Sequence, residues 1–139
     1  MRKAILCIIL ILLAASCTQH DGRIGPVFGK WQLKEVRYGS IVAAYDSVFY
    51  NFQGNLVRLE RLSSEVPHTV KYDMGYFSHI GDELILDIRD CPLSRVEMYR
   101  LPDTTVNFKV LKLDNRNMEL RLGEDSTYVF RKTGAIGRE

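Results

Sequence analysis

What most constrains this chain is a series of short runs that alternate apolar and polar residues, separated by tight-turn signals. Val48, Tyr50 and Phe52 share one side of their run, with Asn51 and Gln53 on the other. Val70, Tyr72, Met74 and Tyr76 alternate with Lys71 and Asp73, and Met118, Leu120 and Leu122 with Glu119 and Arg121. Tyr128 and Phe130 oppose Arg131. A period of two with one polar side is the pattern of a sheet with one wet face. Strands are expected at 29–37, 46–53, 56–62, 69–79, 83–89, 95–101, 106–113, 118–122 and 127–132. The run at 56–62 also fits a helical turn through Leu56, Leu59 and Leu62. Gly54-Asn55, Gly81-Asp82, "DNRN" at 114–117 and "GEDS" at 123–126 supply hairpin turns. A meander of this kind must dispose of two edges, and closing it on itself is the most economical way. The expected fold is all-β, an antiparallel up-and-down barrel of about eight to nine strands.

The N-terminal segment stands apart. Arg2 and Lys3 precede an unbroken apolar run, Ala4 to Ala15, of 12 residues. A bilayer-crossing helix needs about 20, so the run matches the centre of a cleaved signal peptide. Cys17 follows the small residues Ala14, Ala15 and Ser16. The stretch resembles the lipobox of bacterial lipoproteins, in which the cysteine becomes the acylated first residue of the mature chain. In that family Leu usually holds the place of Ala14. Small residues at 14–16 also suit ordinary signal peptidase cleavage. The resulting division is a signal peptide at 1–16, a lipidated tether at 17–27, a barrel domain at 28–133 and a polar tail at 134–139. Cys17 is the expected lipid attachment site, and acyl chains such as palmitate would join the protein to the bilayer. Thr18 rather than Asp follows the cysteine, and Asp21 alone makes no acidic cluster. The expected location is the bacterial outer membrane, facing the periplasm rather than the cell surface.

Cleavage also removes the net charge. The 19 Lys and Arg fall to 17 once Arg2 and Lys3 are gone, against 17 acids. A neutral chain carries no electrostatic case for nucleic acid. Of the three cysteines, Cys7 lies in the leader and Cys17 at the cleavage site, which leaves Cys91. A disulfide framework would show an even, spaced set; a Cys17–Cys91 bridge stays open only if Cys17 is not acylated.

The domain begins "FGKWQL", with the only Trp two residues after a Gly. This Gly-x-Trp at the head of the first strand resembles the lipocalins and the small lipocalin-like lipoproteins of bacteria. The resemblance implies that Trp31 closes one end of the barrel, with Gly29 beside it. It further implies an arginine near the C-terminal end of the sheet lying across the ring: Arg131 by position, Arg121 as second candidate. The Thr-Asp-Tyr loop motif of secreted carriers is absent, so the likeness is to the shorter lipocalin-like class.

Chemistry-bearing residues are sparse. His20, His68 and His79 have no partners at metal-ligand spacing, and no Gly-x-Ser-x-Gly or glycine-rich phosphate loop occurs. No catalytic residue, metal or cofactor is expected, and the protein reads as a non-enzyme. Tyr50, Tyr72, Tyr76 and Phe108 fall on apolar-parity positions. If these face inward around a cavity, they are the candidates for binding a small apolar or amphipathic ligand. If they pack solid, the better reading is a module that docks on another envelope protein through its outer face.

Overall fold

The computed structural model describes residues 27–65, 67 and 69–133. The leader, Cys17, the tether as far as residue 26, His68 and the tail from 134 lie outside the described residues. The strands are β1 (Gly29–Tyr38), β2 (Ile41–Ala44), β3 (Val48–Gln53), β4 (Leu56–Leu62), β5 (Val70–Ile80), β6 (Glu83–Asp87), β7 (Thr105–Leu113), β8 (Asn117–Leu122) and β9 (Ser126–Lys132). All pairings are antiparallel and run β2-β1-β3-β4-β5-β6-β7-β8-β9, with β1 also paired to β9. That last pairing closes eight strands into a barrel, with β2 as an extra strand. β2 pairs only with Glu35–Tyr38 of β1, while Gly29–Gln32 pair with β3. The barrel form is therefore as the alternation implied, since closure gives almost every strand two neighbours.

The interior is a single core. Trp31, Leu33, Val36, Tyr50, Phe52, Leu59, Leu84, Leu86, Phe108, Met118, Leu120 and Phe130 are all at most 1% exposed. Burying each large side chain contributes roughly 1.5–3 kcal/mol. A bulge between Leu33 and Glu35 shifts the register of β1 against β9, so the inward set passes from Leu33 to Val36 instead of Glu35.

Two elements differ from expectation. The run at 95–101 is not a strand. It holds a one-turn helix, α1 (Leu93–Val96), and a 3₁₀ turn at Glu97–Tyr99. Pro92 starts the turn at φ −58°, its carbonyl accepting from the Arg95 and Val96 amides. Val96 and Tyr99, three residues apart, are both fully buried. That is helical spacing on one face. The second difference is β2, where no strand was expected: it is only four residues long, and Ile41 and Val42 point to solvent. The run at 56–62 is a strand, so its helical alternative falls away.

The segment from Ile88 to Leu101 lies in the mouth of the barrel, the end that carries the β1–β2, β4–β5 and β8–β9 turns. β5 pairs with β4 from Val70 to Tyr76 but with β6 only from Tyr76 onward. The strands part at the mouth, and the chain leaving β6 enters through that gap. Gly75 makes the crossing feasible. A Cβ there would lie 2.6 Å from both the Asp87 carbonyl oxygen and the Ile88 Cδ1, closer than any side chain tolerates.

Candidate functional site

The closed end of the barrel is built on Trp31. It is fully buried, and its indole N–H donates to the Val27 carbonyl at 2.9 Å. The expectation of Arg131 across its ring is not met. Arg131 is exposed on the outer face of β9, because residue 130 of that strand points inward and 131 must point out. Lys132 takes the place instead, its ammonium 5.0 Å from the indole centroid. Burial pushes the Lys132 ammonium below the ordinary lysine range, and the ring face offsets part of that cost by roughly 0.5–2 kcal/mol. Gly29 adopts φ +118°, and a Cβ on it would sit 2.8 Å from Lys132 Cε. The glycine is thus needed twice, for its backbone angle and for the lysine stem that passes over it.

At the mouth, the plug from Ile88 to Leu101 is tied to the wall by polar bonds. Tyr50, fully buried, donates its hydroxyl to the Tyr99 carbonyl at 2.6 Å, and Tyr128 donates to the Arg100 carbonyl. Arg100 holds a left-handed backbone (φ +67°) that turns both carbonyls toward these hydroxyls. Asp73, on the inner side of β5, accepts from Arg95 at 3.1 and 2.7 Å and from the Tyr99 hydroxyl at 2.7 Å. Burial alone would raise the Asp73 carboxyl, but the hydrogen bonds from Arg95 and Tyr99 outweigh it and leave it below the usual range. Burial and the Asp73 charge push the Tyr99 phenol up. Cys91, 4% exposed, packs beside this cluster, and burial raises its thiol. It is a free cysteine, which places it in the core rather than in chemistry.

The four aromatics expected to line a pocket separate into two sets. Tyr50 and Phe108 are fully buried, with the Tyr50 ring 4.9 Å from Phe130 and Phe108 5.1 Å from Tyr128. Tyr72 and Tyr76 are not inside. They are 54% and 50% exposed on the outer wall. The reason is that the inward positions of β5 carry other work: Asp73 anchors the plug, Gly75 admits it, and Phe77 packs on Phe52 at 4.9 Å. The apolar parity of this strand is therefore turned to solvent. Val70, Tyr72, Met74 and Tyr76, with Leu56 of β4 opposite Tyr76, make an exposed apolar stripe.

Beside the stripe lies a residue that sequence reasoning did not single out. Glu60 is 7% exposed although it points to the outer wall. Lys30 Nζ lies 3.3 Å and Arg58 Nε 3.6 Å from its carboxylate. Lys30 in turn sits 4.8 Å above Phe49, and the Arg58 guanidinium 4.1 Å above Tyr72. This row of alternating charge and ring fixes Tyr72 in place next to Met74. Its members come from β1, β3, β4 and β5, so only the register of four strands could have revealed it. Among the described residues no three His, Cys, Asp or Glu side chains form a group that could hold a metal ion, and no helix is long and apolar enough to cross a membrane.

A family model described as a lipocalin-like domain matches residues 10–133. The chain belongs to the lipocalin-like family. Two solved bacterial proteins share the fold of this lipocalin-like chain. A lipocalin-like protein from Bacteroides uniformis is 26% identical, with a TM-score of 0.69 over 78% of this chain and all of that one. An uncharacterized protein from Bacteroides eggerthii is 27% identical, with a TM-score of 0.67 over 76% of this chain and 98% of that one. No curated protein matches.

Proposed function

We propose that this lipocalin-like protein is a non-enzymatic docking module, held by acylated Cys17 on the periplasmic side of the outer membrane, that engages another envelope protein through its outer wall. The observation that carries this reading is the filled interior. Tyr50 and Phe108 are spent on packing, and the hydroxyls of Tyr50 and Tyr128 bond to the plug rather than waiting for a ligand. An exposed apolar surface is offered by the stripe on β4 and β5. Val70 to Tyr76 extends about 20 Å along the wall, and at its mouth end β5 has no β6 partner. A contiguous apolar strip suits a partner that brings apolar side chains of its own.

The test places a photo-crosslinking residue at Met74 in intact cells, with Leu111 on β7 as the comparison site. The reading expects one discrete heteromeric product from Met74, none from Leu111, and loss of the product when Tyr72→Glu is added. No product from Met74, together with an apolar small molecule retained in native mass spectrometry, would return the protein to ligand carriage. Anchoring is tested separately: Cys17→Ala should abolish incorporation of labelled palmitate and free the protein from membranes.

A further inference from the structure

At the mouth, Arg61 of β4 and Lys71 of β5 stand directly opposite each other in the strand register. Both belong to the inward-facing parity, since Val57 and Leu59 precede Arg61 on that side and Asp73 and Gly75 follow Lys71. Residues opposed in this way have Cβ atoms about 5 Å apart, and like charges so placed repel. Among the described residues, no carboxylate comes within 4.0 Å of either cation. Asp73, the nearest inward acid along β5, is taken by Arg95 and Tyr99.

The two cations border an open groove of about 290 Å³ whose other walls are Leu62, Ser63 and the plug residue Met98. This groove has no acid in its lining. A larger groove that shares Arg61, Leu62, Ser63 and Lys71 with it also carries Asp46 and Glu65. Below the site the strand ends are braced: the Ser63 amide donates to the Thr69 carbonyl at 2.8 Å, and the Thr69 amide to Ser63 Oγ at 2.9 Å. The cations are therefore held together by the hairpin that ends β4 and begins β5, and are not independent surface charges.

From this geometry we infer that the mouth of the barrel binds a dianionic oxyanion of the phosphate-monoester type between Arg61 and Lys71, with the ester's organic portion against Leu62 and Met98. Two adjacent cations match two negative charges, and a bridging oxyanion converts their repulsion into charge-assisted hydrogen bonds. The two cations lie on the opposite face of these strands from Tyr72, Met74 and Tyr76 of the docking stripe, and Leu62 stands opposite Val70 at the stripe's mouth end. The ester can come from a soluble metabolite or from a lipid headgroup.

The full chain in neutral detergent micelles would be titrated with inorganic phosphate, and separately with micelles doped with short-chain phosphatidic acid, while amide shifts are followed by NMR. Saturable shifts confined to residues near 61–63, 71 and 98 are expected in at least one series. Saturation with phosphate alone assigns a soluble ester, and tighter saturation with the doped micelles assigns a headgroup. Arg61→Gln and Lys71→Gln should each weaken binding about tenfold. Phosphate should raise the melting temperature of the native chain but not of Lys71→Gln, which should itself melt no lower than the native chain without phosphate. Shifts that sodium chloride reproduces at equal ionic strength, or that survive both substitutions, would overturn the site, as would the absence of saturation in both series.

Discussion

The two ends of this barrel are closed by different means. One end is shut by a ring: Trp31 is buried among apolar neighbours, its N–H is satisfied by Val27, and Lys132 lies across its face. The other is shut by an inserted segment that depends on hydrogen bonds and an ion pair, from Asp73 to Arg95 and Tyr99 and from two tyrosines to plug carbonyls. Apolar closure depends little on pH and on any single partner. Polar closure is cooperative and titratable, because a buried hydrogen-bonded group left alone costs more than the bond contributed. The mouth is therefore where solution conditions act on this fold.

Substitutions can break that contrast. Trp31→Ala should have the largest effect, about 3–5 kcal/mol in urea unfolding, as expected for an aromatic lost from a tight core. Gly75→Ala should cost about 1–3 kcal/mol by overpacking, and its damage should appear as faster hydrogen exchange in residues 88–101, not around Trp31. Asp73→Asn should cost about 1–3 kcal/mol, again with exchange confined to the plug. Its pH signature sharpens the comparison. The folded Asp73 carboxyl lies below its unfolded value of about 4, so its stabilisation is present above that value and is lost as pH falls through the folded one. Acid should thus release the plug before it releases Trp31, and Asp73→Asn should flatten that pH dependence. At the small end, Lys132→Met should cost less than about 1 kcal/mol, and Arg131→Ala should stay within about 0.5 kcal/mol. A larger loss for Arg131 than for Lys132 would reverse the assignment at the closed end.

Much of the fold was legible because alternation and turn residues are local signals. Eight of the nine expected runs became strands, and Trp31 took the buried place that its position at the head of β1 implied. What failed was local pattern overruled by a distant need. A strand was expected at 95–101, yet Val96 and Tyr99 are spaced for a turn, with Pro92 as its start. In β5, alternation correctly identified the strand but assigned its faces backwards. The polar side had to face inward, because Asp73 and Gly75 serve a plug formed some 20 residues later in the chain. A period of two cannot say which side is the inside when the inside holds a polar anchor. The same limit explains the exchange of Arg131 for Lys132: neighbouring residues point to opposite faces, and only the pairing of β9 with β1 and β8 decides between them.

The barrel interior is packed with side chains, and the proposed docking rests on that. Xenon reports on the packing most directly, since it occupies empty apolar space that water leaves dry. Methyl spectra recorded under increasing xenon pressure should show no saturable shift at Leu59, Leu84, Leu86 or Leu120. A saturable shift at these four methyl-bearing residues would reveal a cavity beside Tyr50 and Phe108, and would contradict the account.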